Sequence, residues 1–424
     1  MKSLHCTSEF LGVTLSFQAA FSKRSLPYFL AVTLPWIVYQ GQRTVRSLLR
    51  GASLRRHEAS LYRFFSHFKF RVSVFRRLVF DLIVNRFALR EILIVVDDTL
   101  CPKWGRMIFG TGRFFDHVAR PRPGFIWGHN WVVLAVVVPL FGAQVALPFW
   151  VALYRPRTSC EPCDFRTRHQ LVVEALKSLR SWTNLPIRLV ADGAYNNESI
   201  LTPIRELGIP LVSRLRADAS LRANPPMRPR KRRGRRAKYG HALPRLTAMR
   251  RSNRGWRRVK VHIYSKEVSV DIKSLVAWWP KAAQQLHVVI TRDPRGKRKG
   301  AILSSTDISQ RAEDIVETFA RRWSIEQLFA DAKQALGLDS AEVRSERSVE
   351  RHATFAFGLV TMVRVWACDT MQSDKNSPKS FAGQLSLLRE QIIANTIFAE
   401  IPNTKGSRRN SESLAKLVLS KVPA

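Results

Sequence analysis

The chain has 424 residues, more than one hydrophobic core usually serves, so two or three domains are expected. Apolar residues make up 46% of it, enough for a real interior, while 70 Lys and Arg against 32 Asp and Glu give a formal charge of +38. An excess of that size points to a polyanionic partner, most simply nucleic acid, and argues against an acidic-protein binder or an ordinary metabolic enzyme. Five cysteines, an odd number, form no disulfide framework and fit a reducing compartment.

Residues 1–90 read as a helical region. The apolar stretch Ser25–Gln40 begins too late for a signal peptide and is broken by Pro27 and Pro35. Thr44–Arg50 and His57–Leu89 carry apolar residues at spacings of three and four, with arginines between them. Phe64, Phe65 and Phe68 fit the buried face of an amphipathic helix. Arg43, Arg46, Arg50, Arg55 and Arg56 are the better phosphate contacts, because cations this dense repel one another unless an anion lies between them.

From Glu91 the pattern changes. Ile92–Val96 is a β-branched run ending in Asp97-Asp98-Thr99, a buried strand with carboxylates at its end. Trp131–Tyr154 is uncharged for long enough to raise a transmembrane helix. Pro139, Gly142 and Pro148 interrupt it, however, and its valine-rich blocks fit two buried strands better, near Asn130–Pro139 and Gln144–Tyr154, joined by a Phe-Gly-Ala-Gln turn. No membrane association is expected. A helix over Thr167–Ser181 and a strand over Pro186–Ala191, running into Asp192-Gly193, complete an α/β order with a mixed sheet.

The stretch between Asp192 and Glu326 is too long for a single crossover. Alternating or apolar runs at Arg257–Ile263, Leu275–Trp279 and Leu286–Thr291 suggest an inserted β-rich subdomain over 201–304. It carries a basic arm, Arg228–Lys238, whose Arg230, Lys231, Arg232, Arg233, Arg235 and Arg236 are candidate DNA contacts. Such a run can also be no more than a solvated loop. Ser309–Leu336 then reads as one helix stopped at Gly337. At about 100° per residue, Phe319, Arg322, Glu326 and Lys333 fall within about 60° of one another on it. For an isolated helix this is a surface ion ladder; the two aspartates ending apolar strands upstream suggest instead that three acids meet. Residues 371–424 read as a polar tail with a helix near Phe381–Ala399.

These residues resemble the DDE transposases of bacterial insertion sequences. The third motif of the relevant branch is Tyr-x2-Arg-x3-Glu-x6-Lys, and the chain gives Phe319-x2-Arg322-x3-Glu326-x6-Lys333. Val96-Asp-Asp-Thr-Leu, Gly110-Thr-Gly-Arg-Phe-Phe-Asp-His, Gly128-His-Asn-Trp-Val-Val and Val190-Ala-Asp-Gly-Ala-Tyr also look like one subgroup of these enzymes, so the resemblance runs from about residue 40 to 370. Phe319 keeps the ring of the family tyrosine and loses its hydroxyl. The resemblance implies an α/β, ribonuclease H-like catalytic domain over 91–200 and 305–370, the β-rich insertion preceding the third carboxylate, with the N-terminal helical region binding DNA and 371–424 as a C-terminal tail. It implies that Asp97, Asp192 and Glu326 are the catalytic, metal-holding acids for two Mg²⁺ ions, with Mn²⁺ as a substitute. Arg322 and Lys333 would hold phosphates. Asp97 is preferred to its neighbour Asp98 because related enzymes commonly show Asp-x-Thr.

The implied activity is that of a DNA transposase, cleaving at terminal inverted repeats and transferring strands. Its partners would be double-stranded DNA at transposon ends and target, and a second copy of the chain, in the cytoplasm at the nucleoid. Two other readings stand beside it: a repressor-like, non-catalytic descendant, and a ribonuclease H-like nuclease of branched DNA or hybrids. Cys160, Cys163 and His169 fall one ligand short of a structural zinc site. His117 and His129 could approach the acids or simply hold loops. Trp278-Trp279 could stack a flipped base or fill a small core.

Overall fold

Runs of valine and isoleucine, buried on both faces, decide the centre of the molecule. The computed structural model describes residues 4–41, 43–44, 47, 58–105, 107–116, 124–226, 237–297, 299–340, 342–371 and 377–400. Ten strands form one sheet: β1 (Ile92–Pro102), β2 (Gly112–Asp116), β3 (Gly124–Leu140), β4 (Ala143–Tyr154), β5 (Ile187–Ala191), β6 (Leu211–Arg214), β7 (Arg257–Ile263), β8 (Lys266–Trp279), β9 (Gln284–Arg292) and β10 (Ile302–Ser305). Their order is β2-β3-β1-β5-β6-β10-β9-β8-β7, with β4 also paired to β3. The β1–β5 and β5–β6 pairs are parallel and the others antiparallel.

The uncharged segment beginning at Trp131 folds as the β3–β4 hairpin. Its turn is two residues long, Phe141 and Gly142, both at positive φ (49° and 75°). That mirror-image turn matches the twist of the strands it joins. Among the described residues no helix is long and apolar enough to cross a membrane.

Strands of the expected insertion prolong the central sheet. β6 lies parallel to β5, β10 pairs with β6, and β9, β8 and β7 follow outward. The physical reason is that β6 would otherwise leave an unpaired strand edge, which the later strands satisfy. Alternation in a sequence identifies a strand without naming the edge it joins.

Eleven helices among the described residues flank the sheet: α1 (Ser8–Leu15), α2 (Leu26–Val38), α3 (Glu58–Ser66), α4 (Val72–Arg86), α5 (Arg168–Trp182), α6 (Glu198–Glu206), α7 (Leu246–Arg251), α8 (Ala312–Ala320), α9 (Ser324–Gln334), α10 (Glu346–Met371) and α11 (Phe381–Glu400). At the start of α5, Thr167 and Gln170 form a reciprocal capping box. The first four helices join the same core as the sheet through α10. Phe17 meets Phe75 at 4.8 Å, Phe21 stacks on Phe29 at 4.3 Å, and Trp36 meets Phe355 of α10 at 5.1 Å. Phe64 and Phe65 are buried within this cluster, as their helical spacing implies.

Arg43 is a correction to the expected phosphate contacts. It is buried, and its Nε donates to the Trp36 carbonyl at 3.1 Å, tying the end of α2 inward. Arg46, Arg50, Arg55 and Arg56 lie outside the described residues, as do Arg230, Lys231, Arg232, Arg233, Arg235 and Arg236 of the basic arm.

Candidate active site

Parallel pairing of β1 with β5 sets Val96 opposite Ala191, so Asp97 and Asp192 each follow a paired position on neighbouring strands. Pleating sends Asp97 and Asp98 to opposite faces of β1, and their partners differ accordingly. Asp97 Oδ2 accepts from Arg322 Nη1 at 2.9 Å, and its Oδ1 accepts the Asp98 N–H at 2.9 Å. Asp98 Oδ2 accepts from Asn130 Nδ2 at 3.0 Å and from Arg168 Nη1 at 2.9 Å, and its Oδ1 accepts from the Tyr195 hydroxyl at 3.2 Å.

Arg322 turns its other nitrogen to the third acid: Nη2 donates to Glu326 Oε1 at 2.6 Å. One largely buried guanidinium thus joins two carboxylates far apart in the chain. Burial pushes the Asp97 carboxyl up to about 6, against the lowering pull of its bond to the Asp98 N–H and of Arg322. The charges of Asp98 and Asp192 push it up further, so Asp192 lies within electrostatic reach of Asp97.

The expected single helix over Ser309–Leu336 is broken, which corrects the proposed straight stripe. α8 ends at Ala320, a 3₁₀ turn spans Arg321–Trp323, and α9 begins at Ser324. The tighter winding of a 3₁₀ turn changes the phase between Phe319 and Glu326, while Arg322 and Glu326 still meet. The Phe319 ring centre lies 6.0 Å from the Arg214 guanidinium and 5.8 Å from that of Arg322. Lys333 acts electrostatically on Cys101, toward the far end of β1 from Asp97.

Sequence reasoning missed Arg214 and the Asp98 cluster. Arg214 ends a short apolar strand, the same signal that marked Asp97 and Asp192. Arg168 and Tyr195 follow a helix cap and Asp192-Gly-Ala, and only folding sets both against Asp98. The weaker candidates have other engagements. His129 is buried with Nε2 against the Phe109 carbonyl at 2.9 Å, and burial pushes its imidazole down to about 4. His117 lies outside the described residues. His169 contacts the Ser199 hydroxyl at 2.7 Å and the Ala194 carbonyl at 3.0 Å, and Cys160 and Cys163 are free thiols. Trp279 is buried, and Trp278 packs edge-on against Tyr239 at 5.6 Å.

A family model described as DDE superfamily endonuclease matches residues 21–268, more than half of the chain. The chain belongs to that superfamily. No curated protein matches it. The mixed α/β architecture, with its central mixed sheet and flanking helices, is consistent with a ribonuclease H-like DDE domain. The matched span includes Asp97, Asp98 and Asp192 and stops before Arg322 and Glu326, whose place beside Asp97 is a matter of geometry.

DDE superfamily nucleases are generally dependent on divalent metals, and the donor chemistry here fits one. Three carboxylates are hard oxygen ligands of the kind Mg²⁺ prefers, and Asp97, largely shielded from water and repelled by Asp98 and Asp192, gains from a nearby cation. Among the described residues, though, no group of three Asp, Glu, His or Cys side chains is arranged to hold an ion. Arg322 supplies the positive charge between Asp97 and Glu326 in this conformation.

Proposed function

We propose that this DDE superfamily endonuclease is a DNA transposase that cleaves at terminal inverted repeats and transfers the freed 3′ end to a target. The observation that carries the reading is the Arg322 guanidinium joining Asp97 of the sheet to Glu326 of α9, with Asp192 within electrostatic reach of Asp97, in a chain with a large positive charge. Asp97, Asp192 and Glu326 are the residues that would hold the two Mg²⁺ ions, or Mn²⁺ in their place. Bound there, the ions would stabilise the attacking and leaving oxygens of an in-line displacement at phosphorus.

The chain's own residues do the rest. Arg322, relieved of its two carboxylates, is placed to grip a phosphate bidentately, and Lys333 adds a point charge further along the strand. The Phe319 ring lies within cation–π reach of both the Arg214 and the Arg322 guanidinium groups. Asp98, held by Asn130, Arg168 and Tyr195, fixes the strand that presents Asp97. The basic arm 228–238 would add backbone contacts to double-stranded DNA, and two copies of the chain would act on paired ends.

The test is Mg²⁺-dependent cutting of a duplex bearing the inverted repeats that bracket the reading frame. Wild type should nick at the repeat end, and Asp192→Asn or Glu326→Gln should abolish nicking with DNA affinity kept within about tenfold, because affinity rests mainly on cations. Tight, specific binding by wild type with no cutting would sink the enzymatic reading in favour of a repressor-like role.

A further inference from the structure

The β2–β3 ribbon presents rings where a solvent face ordinarily presents polar side chains. Its register sets Arg113 opposite Trp127 and Phe115 opposite Phe125 on one face. All four side chains are exposed on that face, Phe125 to 60%, while Phe114 on the other face is buried. The Arg113 guanidinium lies 4.2 Å from the Phe125 ring centre, and Phe115 meets Phe125 edge-on at 5.2 Å. The loop leaving β1 adds to the same end: Trp104 is 97% exposed and Met107 83%. The Trp127 indole N–H donates to the Gly105 carbonyl at 3.4 Å, tying that loop to the ribbon.

An aromatic patch of this kind needs an occupant. A second copy of this chain would itself carry a net charge of +38, so two copies repel overall, whereas a nucleic acid brings compensating phosphates together with flat bases. Successive bases stack on protein rings whatever their sequence, and an arginine over a ring extends the platform. Continuity with the candidate active site points the same way. Asp97 pairs with Val133 and Pro102 with Gly128, so the ribbon begins where the Asp97-bearing strand ends, five residues or roughly 17 Å along the strand from Asp97 at about 3.3 Å per residue. The loop also rims a cavity of about 1000 Å³ lined by Ser66, Ser340, Glu342 and Arg344 among others, whose acceptors and donors suit base edges.

We infer that the β2–β3 ribbon and the Trp104 loop form a stacking platform for unpaired bases of DNA, adjoining the acidic site. The inference rests on the DNA-cleaving reading above and adds to it a place for single-stranded DNA.

The experiment compares the full-length protein on a blunt duplex and on the same duplex carrying a six-nucleotide overhang with 2-aminopurine in it, by anisotropy and by fluorescence of the probe. Wild type should prefer the overhang and change the probe's emission. Trp104→Ala and Phe125→Ala should each weaken overhang binding by roughly tenfold with blunt-duplex affinity unchanged. The salt dependence should also stay unchanged, since rings release no counterions. Trp104, almost fully exposed, makes a variant whose fold is not at issue; circular dichroism checks Phe125→Ala. Equal overhang binding by wild type and both variants overturns the platform while leaving duplex cleavage standing. A drop in molecular mass by light scattering in the variants, without loss of overhang binding, overturns it in favour of a contact between copies. Wild type that binds neither DNA overturns the DNA reading itself.

Discussion

Asp97 and Asp98 are adjacent and chemically identical, and their surroundings give them different work. Asp98 is satisfied by three donors, a structural anchor for β1 against α5 and the turn after β5. Asp97 is half-buried, close to other acids, and pushed up to about 6, chiefly by desolvation. Removing its charge therefore removes a repulsion. Asp97→Asn is expected to lose cleavage yet melt no lower than wild type, whereas Asp98→Ala leaves the Asn130 and Tyr195 donors without their acceptor and costs about 1–3 kcal/mol. Melting curves and a nicking assay on the two variants separate the roles; an Asp97→Asn protein that still cuts would remove Asp97 from the site.

At the scale of elements, the site depends on how α9 is held. Arg364 of α10 is buried and donates to Asp331 Oδ2 on α9 at 3.0 Å and to Gln384 Oε1 on α11 at 3.0 Å. One guanidinium therefore fixes the helix that carries Glu326 to two others. Arg364→Met leaves the largely buried Asp331 without its ion-pair partner, with only Gln327 still donating to it at 3.3 Å, and is expected to cost about 3 kcal/mol, with most of that recovered in the Arg364→Met, Asp331→Leu double variant. Urea denaturation measures both; a single-variant loss below about 1 kcal/mol would show that Arg364 is a bystander. Near it, Gly358 of α10 has no room for more: a Cβ there would meet the Phe75 ring of α4 at 2.5 Å. The N-terminal helices reach the core by that close approach.

The whole molecule carries two further expectations. His129 and His352 are both buried, their imidazoles pushed down from 6.5 to about 4 and about 3, chiefly by burial. They stay neutral in the folded chain, while the unfolded chain takes up protons below about pH 6.5. Their contribution to stability is thus complete above that pH and is lost as pH falls from about 6.5 toward 4 and 3, at up to about 1.4 kcal/mol per pH unit for each proton. Among the described residues His352 Nε2 has no hydrogen-bond partner, so His352→Leu should lessen the acid slope by about one proton, read from urea midpoints at pH 7 and pH 5. An unchanged slope would place the proton uptake elsewhere. Charge is the other global property. Replacing the Arg and Lys of 228–238 with Ser should weaken DNA binding across all sequences and flatten its dependence on salt; an undiminished slope would make the arm a spectator.

Composition and period alone carried much of this. The β-branched run before Asp97, the turn at Phe141-Gly142, the capped helix after Thr167 and the Arg322–Glu326 spacing are all local, so each is written in a few consecutive residues. The excess of cations needs no fold at all to speak for a polyanion. What needed the tertiary structure is pairing over distance. No local signal places Arg322 against Asp97, sets Arg168 and Tyr195 on Asp98, breaks the helix at Arg321, or adds β7–β10 to the edge of β6. Those outcomes depend on which strand edges and which buried charges find each other, and that is settled only when hydrogen bonds and electrostatics are satisfied across the whole chain together.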